Sequence, residues 1–209
     1  MKKVLIVEDQ RMPRENMERI LLDSGKYKLC ASVNGADVAL AVCRREKIDL
    51  ILMDVCTAGN KDGIEAAAEI KAEFPDIKII IVTSMVEVGY LKRAREAKAD
   101  SFWYKDISPE KLIDVIEETM AGEHIFPDAP PTVEIGMAKS TEFTKTELKV
   151  LRHLMRGLSY TRIAAEMGCE MSTVKFHVAN MLQKTGLENK LQLALAVSDV
   201  KLIADLAEE

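Results

Sequence analysis

Short apolar runs alternate with segments of helical periodicity over the first 122 residues of the chain. Each run has the length of a buried strand, and the segments between the runs repeat apolar positions every three or four residues. The predicted strands cover residues 4–7, 29–33, 50–53, 77–82 and 101–104. The predicted helices cover residues 11–23, 35–46, 63–74, 86–97 and 108–121.

This regular order of strand and helix favours an α/β fold with a parallel sheet covered by helices on both faces. Parallel strands need right-handed crossovers, and strands buried on both faces are apolar along their whole length. Local signals agree with the boundaries, because Pro13 lies in a predicted first turn and Pro75 follows a predicted helix. The pair Ser108-Pro109 is typical of an N-cap followed by proline at the first helical position.

The pattern changes after residue 122. Residues 123–142 are rich in proline, glycine and small polar residues, which predicts a linker. Helical periodicity resumes at Thr144, and glycines divide it into four predicted helices of a small all-α domain. We therefore predict a first domain over residues 1–122, a linker over residues 123–142 and a second domain over residues 143–209.

The composition suits two small globular domains. Of the 209 residues, 48% are apolar, which is enough to form packed cores. No apolar run approaches the length of a membrane span, and the N-terminus shows no signal peptide. The four cysteines are far apart and form no Cys-x-x-Cys pair, which favours reduced thiols over disulfides or a zinc site. We therefore expect a cytoplasmic protein without a membrane partner.

The net charge of −5 conceals an uneven distribution. Residues 143–190 carry about 8 basic and 4 acidic side chains, whereas residues 1–142 carry about 20 basic and 26 acidic ones. A basic second domain suits a polyanion such as nucleic acid. A surplus of this size also occurs on ordinary solvated surfaces, so charge alone does not identify the partner.

Acidic residues follow two of the predicted strands. Asp54 comes directly after the run at residues 50–53, and Glu8-Asp9 follows the run at residues 4–7. Ligand chemistry in open α/β sheets lies at the carboxyl ends of the strands, so neighbouring strands would bring three carboxylates together. Such a cluster holds its charge best around a hard divalent cation such as Mg²⁺. An alternative for any single acid is a solvated loop.

The fourth and fifth predicted strands end on Thr83 and Lys105. Acids, a hydroxyl and an ammonium at one sheet edge can perform phosphoryl transfer to a carboxylate. In that chemistry one carboxylate attacks, while the metal and the ammonium neutralise the phosphoryl oxygens. The plainer alternative is that both residues only end their strands.

On these residues, the segment from 1 to about 122 resembles the receiver domain of bacterial two-component response regulators. The resemblance implies a five-stranded parallel, flavodoxin-like sheet with strand order 2-1-3-4-5. It implies that Asp54 is the phosphoacceptor, and that Mg²⁺ is bound by Asp9, Asp54 and the backbone carbonyl of Cys56, with Glu8 acting through water. The implied residues that contact the phosphoryl group or switch with it are Thr83, Lys105 and Phe102.

Two departures from the family pattern concern the surroundings of the site. The loop at residues 55–63 lacks the usual proline and is one residue longer, and Asp106 replaces the common proline after the lysine. A cis peptide there would be costly. Neither departure removes a reacting group, so we expect them to affect rates of phosphorylation and hydrolysis. For Phe102, ordinary core packing is an equal alternative to switching.

The second domain contains two short predicted helices joined by a tight turn. In the second of them Val174, Val178, Met181 and His177 recur on one stripe that should face the core. The polar and exposed side of the same helix carries Ser172, Lys175, Phe176 and Ala179. This arrangement is typical of a helix-turn-helix.

Residues 143 to about 200 resemble the LuxR-type DNA-binding domain of the NarL and FixJ family. The matching motifs are Phe143-Thr144-x-x-Glu147, Gly157-Leu158-Ser159, Ile163-Ala164 and Thr173-Val174-Lys175-x-His177-Val178-x-Asn180. The resemblance implies that the helix over about 171–185 enters the major groove, and that the last helix, from about residue 190, contributes to dimerisation. The candidate DNA-contacting residues are Ser172, Thr173, Lys175, Phe176 and Ala179.

This domain also departs from its family. Glu170 occupies the cap position where serine or threonine is expected, and Ala179 replaces a basic residue of some relatives. Phe176 is large for a groove-facing position, where it could touch thymine methyl groups or pack against its own domain. His177 fits a core position better than a DNA contact.

Together the two resemblances predict a response regulator that acts as a transcription factor. A histidine kinase would phosphorylate Asp54, and the phosphorylated protein would form a homodimer that binds promoter DNA. An alternative is a regulator controlled by partner binding without phosphate. A third possibility, an aspartyl phosphatase of the haloacid dehalogenase type, needs a second acid two residues after the nucleophile, where this chain has Cys56.

Overall fold

A computed structural model describes residues 1–105, 108 and 111–202. The chain forms two compact units, one from residues 1–84 and 88–130 and the other mainly from residues 131–202. No helix among these described residues is long and apolar enough to cross a membrane.

The first unit is a five-stranded parallel sheet with helices between successive strands. The strands are β1 Lys2–Val7, β2 Tyr27–Val33, β3 Leu50–Met53, β4 Lys78–Thr83 and β5 Ser101–Tyr104. The helices are α1 Arg11–Ser24, α2 Ala39–Arg45, α3 Gly63–Glu73, α4 Val88–Glu96 and α5 Leu112–Ala121. The strand order is β2-β1-β3-β4-β5, which confirms the predicted order 2-1-3-4-5.

The three central strands are apolar because both of their faces are covered. All four residues of β3 are completely buried, as are the last four of β1. The register pairs Val7 with Met53, so these strands end side by side. The N–H of Asp54 also donates to the carbonyl of Val7 at 2.9 Å. This register places Glu8 and Asp54 at the same edge of the sheet.

The outer edge of β5 is covered by the segment that follows α5. The N–H of Phe102 donates to the carbonyl of Ile125 at 2.8 Å, and the N–H of Ile125 donates to the Ser101 hydroxyl at 3.0 Å. The phenyl ring of Phe126 lies 6.3 Å from that of Phe102, centroid to centroid. Residues at the start of the predicted linker therefore protect a strand edge that would otherwise be unpaired.

Several boundaries differ from the sequence-based predictions. A 3₁₀ turn at Ala36–Val38 precedes α2, which is therefore shorter than expected. Helix α5 begins at Leu112 with Lys111 as its N-cap, so the predicted start at Ser108 is wrong. The Ser108 hydroxyl instead accepts a hydrogen bond from the N–H of Tyr104 at 3.1 Å. Asp106 and Pro109, on which two predictions depended, lie outside the described residues.

The second unit contains four helices and a short hairpin. The helices are α6 Lys145–Met155, α7 Tyr160–Met167, α8 Met171–Thr185 and α9 Lys190–Asp199. The hairpin, β6 Glu134–Ile135 and β7 Ala138–Lys139, forms within the stretch predicted as a linker. The apolar pattern there was too short to predict it.

Side chains at the helix starts explain where α6 and α7 begin. The Thr144 hydroxyl accepts from the N–H of Glu147 at 3.2 Å, and the Glu147 carboxylate accepts from the N–H of Thr144 at 2.7 Å. Ser159 caps α7 by accepting from the N–H of Arg162. Glu170 stands at the N-cap of α8 without a side-chain cap bond, and its carboxylate accepts from the Ser172 hydroxyl instead.

Candidate phosphoacceptor site

Three carboxylates meet at the carboxyl ends of β1 and β3. One oxygen each of Glu8, Asp9 and Asp54 lies within 4.8 Å of the others. Glu8 is completely buried and Asp54 is 3% exposed, whereas Asp9 is exposed. The predicted cluster therefore exists, with one side open to solvent and the other closed by the sheet.

Lys105 supplies the cation of this cluster. Its ammonium lies 3.0 Å from Oδ2 of Asp54 and also pairs with Oε2 of Glu8. The other carboxylate oxygen of Glu8 accepts from the N–H of Gln10 at 3.0 Å. Glu8 and Lys105 are nearly a hundred positions apart in the chain. They meet because β1 and β3 are neighbours in the sheet and β5 ends at the same edge.

Burial and the charges of neighbouring residues together determine the pKa of the Asp54 carboxyl. Burial, assisted by the negative charge of Glu8, raises its pKa to about 6, although the ammonium of Lys105 acts in the opposite direction. Burial alone would lower the pKa of Lys105, but the two carboxylates outweigh burial and raise it. Lys105 is therefore a permanent positive charge beside Asp54.

The residues present fit a hard divalent cation. They offer only oxygen donors, with more negative than positive charge, and Asp9 leaves the cluster open to solvent. A cation here would lower the repulsion between the carboxylates and hold Asp54 ionised at neutral pH.

Thr83 and Phe102, the predicted switch residues, are both buried. Thr83 ends β4 with no exposed surface, and the N–H of Lys105 donates to its carbonyl at 2.8 Å. The Phe102 ring is 1% exposed and lies 4.9 Å from the ring of Tyr104. The structure thus shows Phe102 as an inward-facing core aromatic, and its role as a switch stays a prediction.

Gly63 is a residue of this site that the sequence reasoning did not single out. A Cβ atom at Gly63 would lie 1.9 Å from the carbonyl oxygen of Asp54. Its N–H donates to the carbonyl of Val55 at 2.9 Å, so the first turn of α3 lies directly against the acceptor's backbone. A glycine nine residues after the predicted nucleophile, at a predicted helix start, was the available signal.

The long loop after Asp54 is attached to the neighbouring loop after β2. The Thr57 hydroxyl accepts from the N–H of Ala36 at 3.0 Å, and the N–H of Ala58 donates to the carbonyl of Asn34 at 3.0 Å. At the far end of the loop, Asp62 caps α3 by accepting from the N–H of Glu65 at 2.8 Å. These bonds fix the loop in place without the usual proline.

Cys56 occupies the position where a phosphatase of the haloacid dehalogenase type needs its second acid. Burial and the nearby charge of Asp54 raise the pKa of its thiol to about 12, although a hydrogen bond from Tyr90 works in the opposite direction. A thiol with this pKa stays protonated at neutral pH and does not act as a general base. The position of the second acid of that enzyme class therefore carries no acid–base group in this chain.

In the second unit, the predicted DNA-contacting residues share one exposed side of α8. Ser172, Thr173, Lys175, Phe176 and Ala179 are all exposed. Val174, Val178 and Met181 are buried on the opposite side, as predicted, and His177 is half-buried between the two sides. Phe176 is 61% exposed, so most of its surface is not packed into its own domain.

Comparison with protein families matches both units. Residues 4–117 match the model of the response regulator receiver domain, and residues 141–197 match that of bacterial regulatory proteins of the luxR family. The chain belongs to the LuxR-type response regulators. It is thus a DNA-binding regulator of transcription by family rather than an enzyme, and the carboxylate cluster lies in its receiver domain.

Relatives of this response regulator match almost its full length. The response regulator protein VraR from Staphylococcus aureus, strains Mu3 and NCTC 8325, is 31% identical over 206 residues, which cover 96% of this chain and 98% of VraR.

Solved structures of RcsB share the fold of the regulator. RcsB from Salmonella enterica serovar Typhimurium, bound to promoter rprA in the presence of phosphomimetic BeF₃⁻, has a TM-score of 0.58 at 20% identity and covers 96% of this chain and 100% of RcsB. A structure of two RcsB dimers bound to two parallel DNAs has a TM-score of 0.59 at 19% identity, with 95% and 98% covered.

Proposed function

We propose that this response regulator accepts a phosphoryl group on Asp54 from a histidine kinase and binds promoter DNA as a homodimer when phosphorylated. The observation that carries the proposal is the position of the Asp54 carboxylate, 3.0 Å from the Lys105 ammonium and within 4.8 Å of oxygens of Glu8 and Asp9. We place this exchange in the cytoplasm, where the thiols of the chain stay reduced.

The chemistry needs an ionised acceptor and a neutralised phosphoryl group. A carboxylate oxygen of Asp54 attacks phosphorus, a P–O bond forms, and the P–N bond to the kinase histidine breaks, with the electron pair passing to the imidazole. In this proposal the Lys105 ammonium pairs with one phosphoryl oxygen, and the hydroxyl of Thr83 donates to another. Because Lys105 already pairs with Asp54 and Glu8, phosphorylation would redistribute these contacts.

Mg²⁺ bound by Asp9, Asp54 and the carbonyl of Cys56, with Glu8 acting through water, would neutralise the charge that develops on the transferring oxygens. The exposed position of Asp9 supports this assignment, since a hydrated cation needs an open side.

The phosphoryl group on Asp54 carries a charge of about −1.5 to −2 and lies next to the ends of β3, β4 and β5. We propose that Thr83 and Phe102 respond to it, that the receiver surface changes, and that the second domain then dimerises through α9 on paired DNA half-sites about one helical turn apart. Two apolar side chains of α9, Leu191 and Leu195, are 65% and 57% exposed and are available for such a contact.

The first test is the labelling of the protein by acetyl phosphate. We expect Mg²⁺-dependent incorporation of one phosphoryl group in the natural chain, no incorporation in Asp54→Asn, and loss of incorporation when EDTA removes the metal. Asp37→Asn, which changes an acid in the 3₁₀ turn after β2, is the control and should label normally. Unchanged labelling of Asp54→Asn would overturn the assignment of the acceptor.

An alternative is control by partner binding without phosphate, and the unusual loop after Asp54 is its only support. The affinity for promoter DNA with and without beryllofluoride and Mg²⁺ separates the two hypotheses. Phosphate control predicts tighter binding of the natural chain with beryllofluoride and no change for Asp54→Asn. Equal affinity of the natural chain under both conditions would favour the alternative.

A further inference from the structure

Two side chains of α4 contact the loop that follows Asp54. The Arg93 guanidinium forms an ion pair with Asp62, the last residue of this loop. Asp62 is 8% exposed, and its other carboxylate oxygen caps α3. One turn earlier on α4, the buried Tyr90 side chain hydrogen-bonds to the thiol of Cys56. The loop is thus attached to α4 near both of its ends.

The ion pair between Arg93 and Asp62 is partly shielded from water. The Arg93 side chain is 38% exposed, and its guanidinium carbon lies 5.8 Å from the centroid of the Tyr90 ring. Burial alone would lower the pKa of Arg93, but the hydrogen bond and charge of Asp62 outweigh burial and raise it. Shielding strengthens an ion pair relative to one on an open surface, so this contact restrains the end of the loop.

This loop needs an attachment because it is one residue longer than the family pattern and lacks its proline. Without a proline, its backbone loses more conformational freedom when it is ordered. Gly63, which follows Asp62, packs against the carbonyl of Asp54, and its N–H donates to the carbonyl of Val55 at 2.9 Å. A displacement of Asp62 would therefore reach the backbone next to the acceptor.

We propose that Arg93 is a positioning residue of the metal site, which acts through Asp62 to hold the backbone carbonyl of Cys56 in place as a ligand. Tyr90 supports the same stretch from the other end of the loop. The inference rests on the proposed Mg²⁺ site. A ligand that is ordered in advance costs less to bring to the cation, so the attachment to α4 should tighten Mg²⁺ binding.

Loss of this ion pair has different consequences for charge and for positioning. Arg93→Met removes a positive charge from the surroundings of the acidic site, so electrostatics alone would tighten Mg²⁺ binding. Asp62→Asn removes a negative charge and should weaken it in either case, although asparagine still caps a helix. Positioning predicts that both substitutions raise the dissociation constant for Mg²⁺ about tenfold, the lower end of what outer partners of metal ligands contribute.

The measurement is urea unfolding of the full-length protein, followed by the fluorescence of Trp103 in β5. It is made first with EDTA and then at increasing MgCl₂ concentration and constant ionic strength. The rise in the free energy of unfolding with Mg²⁺ gives the dissociation constant. A merely structural role of Arg93 would lower stability equally with and without Mg²⁺, whereas a positioning role also reduces the increment that Mg²⁺ provides.

Labelling by acetyl phosphate gives a second readout. For Arg93→Met, the Mg²⁺ concentration at half-maximal rate should rise by the same factor, while the rate at saturating Mg²⁺ should stay close to that of the natural chain. The reason is that Arg93 is proposed to set the affinity for the metal and touches neither the metal nor the phosphoryl group. An unchanged half-maximal concentration would contradict the positioning role.

The matched control is Lys92→Met, which removes the neighbouring charge of α4 from a side chain that is 81% exposed. It should leave the affinity for Mg²⁺ unchanged. Arg93→Lys keeps a cation and should recover part of the affinity that Arg93→Met loses. The double variant Arg93→Met/Asp62→Asn should bind Mg²⁺ about as weakly as either single variant, because both substitutions break the same contact.

The outcomes separate this inference from the proposal on which it rests. If Arg93→Met binds Mg²⁺ as tightly as the natural chain, or more tightly, the positioning role is wrong although the metal site stands. Additive losses in the double variant would also overturn it, since the two side chains would then act independently. If Mg²⁺ does not stabilise the natural chain, the metal site itself is wrong, and the positioning role with it.

Discussion

At the scale of single residues, the acceptor site depends on the small size of Gly63. The substitution Gly63→Ala would place a methyl group 1.9 Å from the carbonyl oxygen of Asp54, so the loop or the start of α3 has to move. We expect a loss of about 1 to 3 kcal/mol in the free energy of unfolding, as for other overpacked sites, and slower labelling by acetyl phosphate.

The control for this prediction is Gly25→Ala. Gly25 differs in having a backbone that favours glycine, with a φ of 64°, and no atom lies within 4 Å of a Cβ built there. Gly25→Ala should cost about 1 to 2 kcal/mol through its left-handed backbone and leave the labelling rate unchanged. Normal labelling of Gly63→Ala would show that the acceptor's backbone tolerates the displacement.

Glu147 provides a residue-scale prediction in the second domain. Its carboxylate is 2% exposed, lies 2.7 Å and 2.9 Å from the Lys184 ammonium, and accepts from the N–H of Thr144. Burial alone would raise the pKa of Glu147, but these hydrogen bonds outweigh it and lower the pKa below its usual value. Because the pKa is lowered, the ionised carboxylate stabilises the fold at pH values above its usual pKa. This contribution is lost as the pH falls through the folded-state pKa.

We therefore expect Glu147→Gln to lower the free energy of unfolding of the second domain by about 1.5 to 3 kcal/mol at neutral pH, as for a hydrogen bond to a charged group. The difference from the natural chain should shrink as the pH falls below the usual pKa of 4.5. Urea unfolding followed by circular dichroism measures it, with the exposed Glu188→Gln as the control. A difference that stays constant with pH would mean that ionisation of Glu147 contributes nothing.

At the scale of secondary structure elements, the segment after α5 has a structural role that its composition does not indicate. Besides its hydrogen bonds to β5, it places the Phe126 ring between Phe102 and Arg95. The Arg95 guanidinium lies 4.8 Å from the centroid of that ring and donates to the carbonyl of Pro127 at 3.3 Å. The segment thus connects α4 and β5 on the side of the receiver that carries Phe102.

We expect Phe126→Ala to destabilise the receiver by about 1 to 2 kcal/mol, the sum of an aromatic pair and a cation–π contact. The fluorescence of Trp103, the single tryptophan of the chain and a residue of β5, reports the unfolding of this domain. Phe126→Leu should recover part of the loss because it restores apolar burial without the cation–π contact. If both variants unfold like the natural chain, the segment does not stabilise β5.

At the scale of the whole molecule, the receiver is acidic, whereas residues 143–190 of the DNA-binding domain carry a surplus of basic side chains. Binding of DNA by the basic domain releases counterions, so we expect the logarithm of the association constant to fall linearly with the logarithm of salt concentration. Lys175→Ala should reduce the steepness of this dependence by about one if Lys175 contacts a phosphate. If it contacts a base instead, the slope stays the same and about 1 to 3 kcal/mol is lost mainly on the specific site.

A matched control for Lys175 is Lys139→Ala, which removes a charge from β7 of the same domain. It should leave both the slope and the affinity for the specific site nearly unchanged. An equal effect of the two substitutions would indicate that only the net charge of the domain matters.

The sequence by itself determined the order of the strands and helices along the chain. Short apolar runs indicate buried strands, and an apolar period of about 3.6 residues indicates helices, and both patterns are local. It also identified Asp54, Asp9, Glu8 and Lys105 as a set, since each stands at the end of a predicted strand and the family resemblance implied the strand order that brings these ends together. Three features could not be predicted from the sequence because they depend on contacts between distant residues. They are the start of α5 at Leu112, the hairpin at residues 134–139 and the path of residues 124–127 along β5.

Only the tertiary structure showed the burial that raises the pKa of Asp54 to about 6, the close approach of Gly63 to its carbonyl, and the exposure of the Phe176 ring. The physical reason is the same in each case. A sequence specifies which chemical groups are present and how they alternate, whereas desolvation, steric contact and exposure depend on which other residues the fold brings to within a few ångströms.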